Sequence, residues 1–188
     1  MNGNRFASPL LGSFLNSPMQ GSRNPQTGEL YTGLEDESQW FAFIGDNFLY
    51  SQPINYVDVN TFRLLSKIGA SYTIADGLQF TQNANIDFAS IDSKVFQDPT
   101  TNDGFNNNGN ISQAYVKLGT VTTQSLLKYF TEFEGGHNLN VLGGFEYQQN
   151  RFENFTAAGR GLASGKLQTL NSVAEADGVP SGSNSGYT

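Results

Sequence analysis

The chain has 188 residues, of which 37% are apolar and 14% charged, both below globular averages, while Gly, Asn, Ser, Thr and Gln are plentiful. Seventeen acidic against ten basic residues give a net charge of −7, which argues against a nucleic-acid binder, since those carry a basic patch. Cysteine is absent, which excludes a disulfide framework, thiolate catalysis and zinc–thiolate sites.

In chain order, residues 1–45 read mostly as loop, rich in Gly, Pro, Asn and Ser. Met1-Asn2-Gly3-Asn4-Arg5 has no apolar segment behind it and does not read as a signal peptide. An exported protein with this start is expected to be a fragment or to have had its signal removed, or else the export reading is wrong. Ser8-Pro9 has the chemistry of a helix start, with Ser8 as N-cap and Pro9 at the first helical position. Asn24-Pro25-Gln26-Thr27-Gly28 reads as a turn. Trp40 to Ile44 is a short apolar run, either a strand start or a loop anchor. Pro53 interrupts the segment after that run, so the first strand is expected to begin near Val59.

From residue 59 to 155 the pattern is two long hairpins. Phe62 to Ile74 and Leu78 to Ile91 flank Ala75-Asp76-Gly77; Val121 to Phe133 and His137 to Arg151 flank Glu134-Gly135-Gly136. Phe62, Leu64, Ile68, Ala70, Tyr72 and Ile74 alternate with Thr61, Arg63, Lys67, Ser71 and Thr73. Leu78, Phe80, Ala84, Ile86 and Phe88, with Gln82 among them, alternate with Gln79, Thr81, Asn83, Asn85 and Asp87. Leu139, Val141, Phe145 and Tyr147 oppose Asn138, Asn140, Glu146, Gln148 and Asn150. In the third arm Val121, Leu127, Tyr129 and Phe133 oppose Thr122, Gln124, Lys128 and Glu132, with Leu126 and Phe130 breaking the polar face. Successive strand side chains point to opposite faces, so each arm has an apolar face and an amide-rich one.

A soluble sandwich strand usually stops after about 5–6 residues, whereas a tilted strand needs about 9–11 to cross a bilayer. The arms meet the second requirement, and their tight turns lie at one end only. Tyr72, Phe80 and Phe133 lie near those turns; Phe88 and Tyr147 lie about ten residues further up, the spacing of two interfacial girdles. Gln97 to Asn110 is a polar loop, and Ile111 to Leu118 leads into the third arm. Residues 156–188 read as loop, with Leu167, Leu170 and Val173 on one face of a short helix and a Gly/Ser/Asn stretch over 177–186.

With those segments laid out, the chain resembles part of a SusC/RagA-type TonB-linked outer-membrane transporter. The resemblance covers roughly residues 20–175. It rests on Asn24-Pro25-Gln26-Thr27-Gly28-Glu29-Leu30-Tyr31, Arg63-Leu64-Leu65, Ala70-Ser71-Tyr72-Thr73-Ile74-Ala75-Asp76-Gly77-Leu78 and the Phe96 to Gly109 loop. Its most specific block runs from Lys128 to Tyr147, with His137-Asn138-Leu139-Asn140 after the turn and Gly143-Gly144-Phe145-Glu146-Tyr147 beyond. The resemblance implies a single fragment, over 1–188, of a β-barrel domain in the bacterial outer membrane, all-β and not closed on its own, with the family's plug absent. It implies uptake of oligosaccharide or peptide, a SusD-like lipoprotein and TonB as partners of the parent protein, and contact with membrane lipid. A soluble secreted β-sandwich for binding or adhesion is the alternative, and a small closed outer-membrane barrel is a third reading.

No catalytic, cofactor or metal constellation stands out, and an enzyme is not expected. His137 is a turn-adjacent residue without partners for metal or base chemistry. Gly159-Arg160-Gly161-Leu162-Ala163-Ser164-Gly165-Lys166 has the wrong spacing for a phosphate loop. Asp98, Asn102 and Asp103 offer oxygens but not the EF-hand spacing. Asn110-Ile111-Ser112 and Asn154-Phe155-Thr156 match glycosylation sequons, which carry no weight in a bacterial chain. The charged residues of the arms read as a solvated lumen wall. Trp40 and Tyr31, aromatics in loop sequence, are the candidate substrate contacts, either stacking on sugar rings or anchoring the loop.

Overall fold

The computed structural model describes residues 21–35, 47–176 and 181–187. They form one all-β sheet of six strands: β1 (Tyr56–Ala75), β2 (Leu78–Gln97), β3 (Asn110–Phe133), β4 (His137–Leu162), β5 (Val173–Ala176) and β6 (Ser181–Tyr187). The order is β1-β2-β3-β4-β5, with β6 also paired to β4. β5 lies antiparallel to β4, with Gly159 opposite Ala176, Arg160 opposite Glu175 and Leu162 opposite Val173. The sheet is antiparallel and does not close on itself, as expected of a piece of barrel wall. The described residues form a single open sheet, where a sandwich needs two.

The long strands have 20, 20, 24 and 26 residues, so each exceeds what alternation alone marks out. β1 starts at Tyr56, ahead of Val59, and β4 continues past Phe155 to Leu162. β3 takes in the whole of Ile111 to Leu118. Alternation fades at these ends because polar groups occupy both faces, but a backbone ladder needs no apolar face to continue. β6 shows this most clearly. Its Gly/Ser-rich sequence has low strand propensity, yet it pairs with β4, and Ser183 donates from both N and Oγ to Asn154 Oδ1, at 2.6 and 2.8 Å. Leu167, Leu170 and Val173 do not share a helix. Leu170–Ser172 is a single 3-10 turn, and pairing with Leu162 draws Val173 into β5. The expected turn at Asn24 is present: Gly28 N donates to Asn24 O at 2.8 Å. Ser8-Pro9 and the Trp40 to Ile44 run lie outside the described residues.

The chain divides into two compact units. Of the described residues, one unit comprises 60–91, 115–155 and 182–187, the hairpin ends with their tight turns. The other comprises 21–35, 47–59, 92–114, 156–176 and 181. This second unit holds the buried apolar residues found among the described ones: Phe96, Ile111 and Leu162, with Tyr56, Leu170 and Val173 packed against them. Tyr56 stacks on Phe96 with ring centroids 5.4 Å apart, and Lys94 Nζ lies 5.5 Å from the Tyr56 ring centre. Among the described residues the same unit contains two short helices, α1 (Phe48–Ser51) and α2 (Asn102–Phe105).

The two tight turns differ in how much they tolerate. Gly77 has φ +77°, its carbonyl accepts from Phe130 N at 2.8 Å, and a Cβ there would run into the Phe130 carbonyl oxygen. Gly136 has φ +79° with open space around it. Gly136→Ala is expected to cost about 1–2 kcal/mol, the penalty of a left-handed residue. Gly77→Ala is expected to cost clearly more, because backbone must also move. Urea unfolding of both variants in detergent measures the difference; equal losses would show that the Phe130 contact does not matter.

Candidate functional site

The hairpin unit has a polar face stitched across its strands. Arg63 reaches Asp87 with two bonds, Nε to Oδ1 at 3.1 Å and Nη2 to Oδ2 at 2.8 Å. Ser71 Oγ and Thr81 Oγ1 share a hydrogen bond at 2.9 Å. Asn83 Nδ2 donates to Gln124 Oε1, Gln124 Nε2 to Glu146 Oε2, and Thr120 Oγ1 to Asn150 Oδ1, at 3.4, 3.3 and 2.8 Å. These pairs place the odd positions of β1 and β2 and the even positions of β3 and β4 on one surface. Leu126 interrupts that surface where it lies over Gly144; a Cβ there would meet Leu126 Cδ2 at 2.9 Å.

The opposite face is apolar and uncovered. Ile68, Tyr72 and Phe145 are 72%, 70% and 69% exposed, and Phe62, Leu64, Ile74, Leu127, Phe133 and Val141 are exposed beside them. Over residues 62–74, 78–88, 121–133 and 139–147 the charged residues are Arg63, Lys67, Asp87, Lys128, Glu132 and Glu146. All six alternate onto the polar face. The apolar face keeps one polar pair, Ser125 Oγ donating to Gln82 Oε1 at 2.5 Å, and mutual bonding removes most of its cost in an apolar medium. An exposed apolar surface of this extent marks a site of contact with a partner or a membrane. No helix among the described residues is long and apolar enough to cross a membrane, which says nothing about crossing by strands.

The second unit carries the loop segment with Tyr31. Arg23 and Leu30 bridge across the Asn24 turn, and Arg23 Nη1 donates to Gly28 O at 2.9 Å. Asn47, only 5% exposed, donates from Nδ2 to both Ser22 O and Tyr31 O at 2.8 and 2.7 Å. A single amide thus ties the backbone of Tyr31 to the body of its unit. Tyr31 is half-buried and lines an open concavity of about 500 Å³ with Asn24, Gln26, Glu29 and Glu35. Burial disfavours the Glu35 carboxylate, but bonds from Thr32 N, Thr32 Oγ1 and Gly33 N at 2.6, 2.9 and 2.8 Å outweigh it and hold its pKa below the usual carboxylate range. Trp40 lies outside the described residues. Asn47 and Glu35 were not singled out by sequence reasoning: both act through distant or local backbone groups, and neither sits in a motif.

The remaining sequence features turn out to be architectural. Asp98 Oδ1 accepts from Thr100 N and Oγ1 at 2.9 and 2.6 Å, closing its own loop. Asp103 has a buried Oδ1 without a partner, and burial raises its pKa. No group of three His, Cys, Asp or Glu among the described residues is arranged to hold a metal. Gly159 to Leu162 belong to β4, so the phosphate-loop likeness lacks the strand-to-helix turn it needs. His137 opens β4 in an exposed position.

No family model matches the chain, and no curated protein matches it. Among solved structures it is similar to a chain in the structure of the RagAB peptide transporter, with a TM-score of 0.69 and 15% identity, over 85% of this chain and 18% of that one. At that identity the likeness is one of fold, and the chain spans less than a fifth of its counterpart.

The Glu35 geometry has a pH signature. A carboxyl whose pKa is lowered by folding contributes stability above its unfolded value, and that contribution is lost as pH falls through the folded value. The amide chemical shifts of Thr32 and Gly33 should therefore hold steady from neutral pH down through the ordinary glutamate range near ~4.3 and move only below it. Asn47→Ala should release the Tyr31 segment without changing this titration. A Gly33 amide that shifts at or above the ordinary value would refute the geometry.

Proposed function

We propose that this chain is a stretch of the wall and extracellular loops of an outer-membrane TonB-dependent transporter for nutrient uptake. The observation that carries the reading is the pair of faces on the long hairpins: one uncharged, apolar and exposed, the other a hydrogen-bonded polar surface holding every charge of the span. Lipid suits the first and a water-filled lumen the second. The fold likeness to a peptide transporter chain supports the same reading. So do the open edges, since a sheet in lipid must pair its edges with further strands, which a parent barrel would supply.

On this reading, peptide or glycan fragments are captured by the loops and pass along the polar face. Tyr31 and Trp40 are the proposed substrate contacts, Tyr31 at the rim of its concavity. A SusD-like lipoprotein acts as lid and TonB supplies energy, both through the parent protein. The chain itself performs no covalent chemistry.

The absence of cysteine makes single-cysteine labelling a clean test. In cells, cysteines at Ile68, Tyr72 and Phe145 are expected to resist a water-soluble maleimide, whereas those at Ser71, Thr73 and Glu146 react, alternating residue by residue. Equal labelling of both faces, or recovery of the chain in the soluble fraction, would sink the reading.

A further inference from the structure

The apolar face of the hairpin unit ends in a basic notch. Along β3 its positions run Phe133, Leu127, Val121, then Gly119, Lys117 and Tyr115; along β4 they run Leu139, Phe145, Tyr147, then Arg151 and Glu153. The face carries no charge over residues 121–133 and 139–147, and its first charges beyond that band on these strands are Lys117, Arg151 and Glu153. Glu153 lies between the two cations, with Arg151 Nη2 at 2.7 Å from Oε1 and Lys117 Nζ at 4.0 Å from Oε2. Lys117 Nζ also sits 5.2 Å from the Tyr115 ring centre.

Three features make this a receptor for an anion rather than a closed ion cluster. On β3 and β4 the charge sum there is positive, two cations against one carboxylate, in a chain whose net charge is −7. The Arg151 side chain is 68% exposed and spends one of its nitrogens on Glu153, which leaves most of a guanidinium's five donors unused. Finally, Gly119 lies beside Arg151, and a Cβ there would only just touch Arg151 Cβ, at 4.0 Å. The floor of the notch is therefore open.

We propose that this notch seats the phosphate headgroup of an anionic membrane lipid, with the lipid's chains lying along the apolar band below it. The inference rests on the membrane reading above and adds a lipid-specific site to it. The height of the notch explains the choice of ligand: the first outward charges past an uncharged band meet the headgroup layer, where Lys and Arg attract anionic lipids. Glu153 holds the two cations in place while leaving their outer donors free.

The test is native mass spectrometry of the delipidated protein in detergent, titrated with phosphatidic acid and, in parallel, with phosphatidylcholine. Phosphatidic acid should be retained preferentially. Lys117→Gln and Arg151→Gln should each weaken retention about fivefold, the effect of one basic residue near a charged lipid surface. Gly119→Leu, which fills the notch and leaves all charges in place, should weaken it too. Lys128→Gln, on the opposite face of the same strand, should not. Undiminished retention by the Lys117→Gln/Arg151→Gln double variant overturns the site. So does complete displacement of the lipid by inorganic phosphate, which would make the notch a plain anion site. If the cysteine pattern alternates but lipid selectivity is absent, the lipid site falls alone; if the pattern fails, both fall.

Discussion

Among the described residues, everything in the hairpin unit depends on one constraint: a single layer of sheet has two faces, and no second sheet covers either. In a soluble domain the alternation of a strand is resolved by packing the apolar side on a second layer. Among the described residues no second sheet exists, and the fully buried apolar side chains reduce to Phe96, Ile111 and Leu162. The burial that ordinarily drives folding is therefore missing from the hairpin unit unless a non-protein medium supplies it. The uncharged band over residues 62–74, 78–88, 121–133 and 139–147 is the surface on which that medium would act.

The polar face answers the complementary demand. Amides and hydroxyls dominate it, and they bond to one another across strands, so the surface is satisfied without depending on many ions. The Arg63–Asp87 pair is exposed on both sides, and exposed pairs add little stability; its two bonds join adjacent strands on the polar face. A wall of this kind offers many exchangeable hydrogen-bonding positions.

The loop unit works differently. There, side chains bind backbone as well as each other. Asn47 fastens Ser22 and Tyr31, Glu35 caps Thr32 and Gly33, and Asn55 Oδ1 accepts from Asp98 N at 2.8 Å and Thr101 Oγ1 at 3.1 Å. Loop backbone cannot satisfy itself as a ladder does, so short polar side chains take over that task. Tyr56, an aromatic near the strand mouth, has Phe96 stacked on its ring, Lys94 beside it, and its hydroxyl on Gln168 at 2.8 Å. It is spent on structure.

Much of the hairpin architecture was legible in the residues alone. Period-two alternation, the Gly-containing turns at 75–77 and 134–136, and the exclusion of charge from one face are local properties, carried by each strand independently of its neighbours. The strand ends, the pairing of β5 and β6 with β4, and the 3-10 turn at Leu170–Ser172 were not, because there the partner strand rather than the side-chain pattern holds the backbone extended. The Lys117–Arg151 notch belongs to that second class as well. It joins residues far apart in sequence, and only the strand register that brings Arg151 beside Gly119 gives those ordinary residues a shared surface.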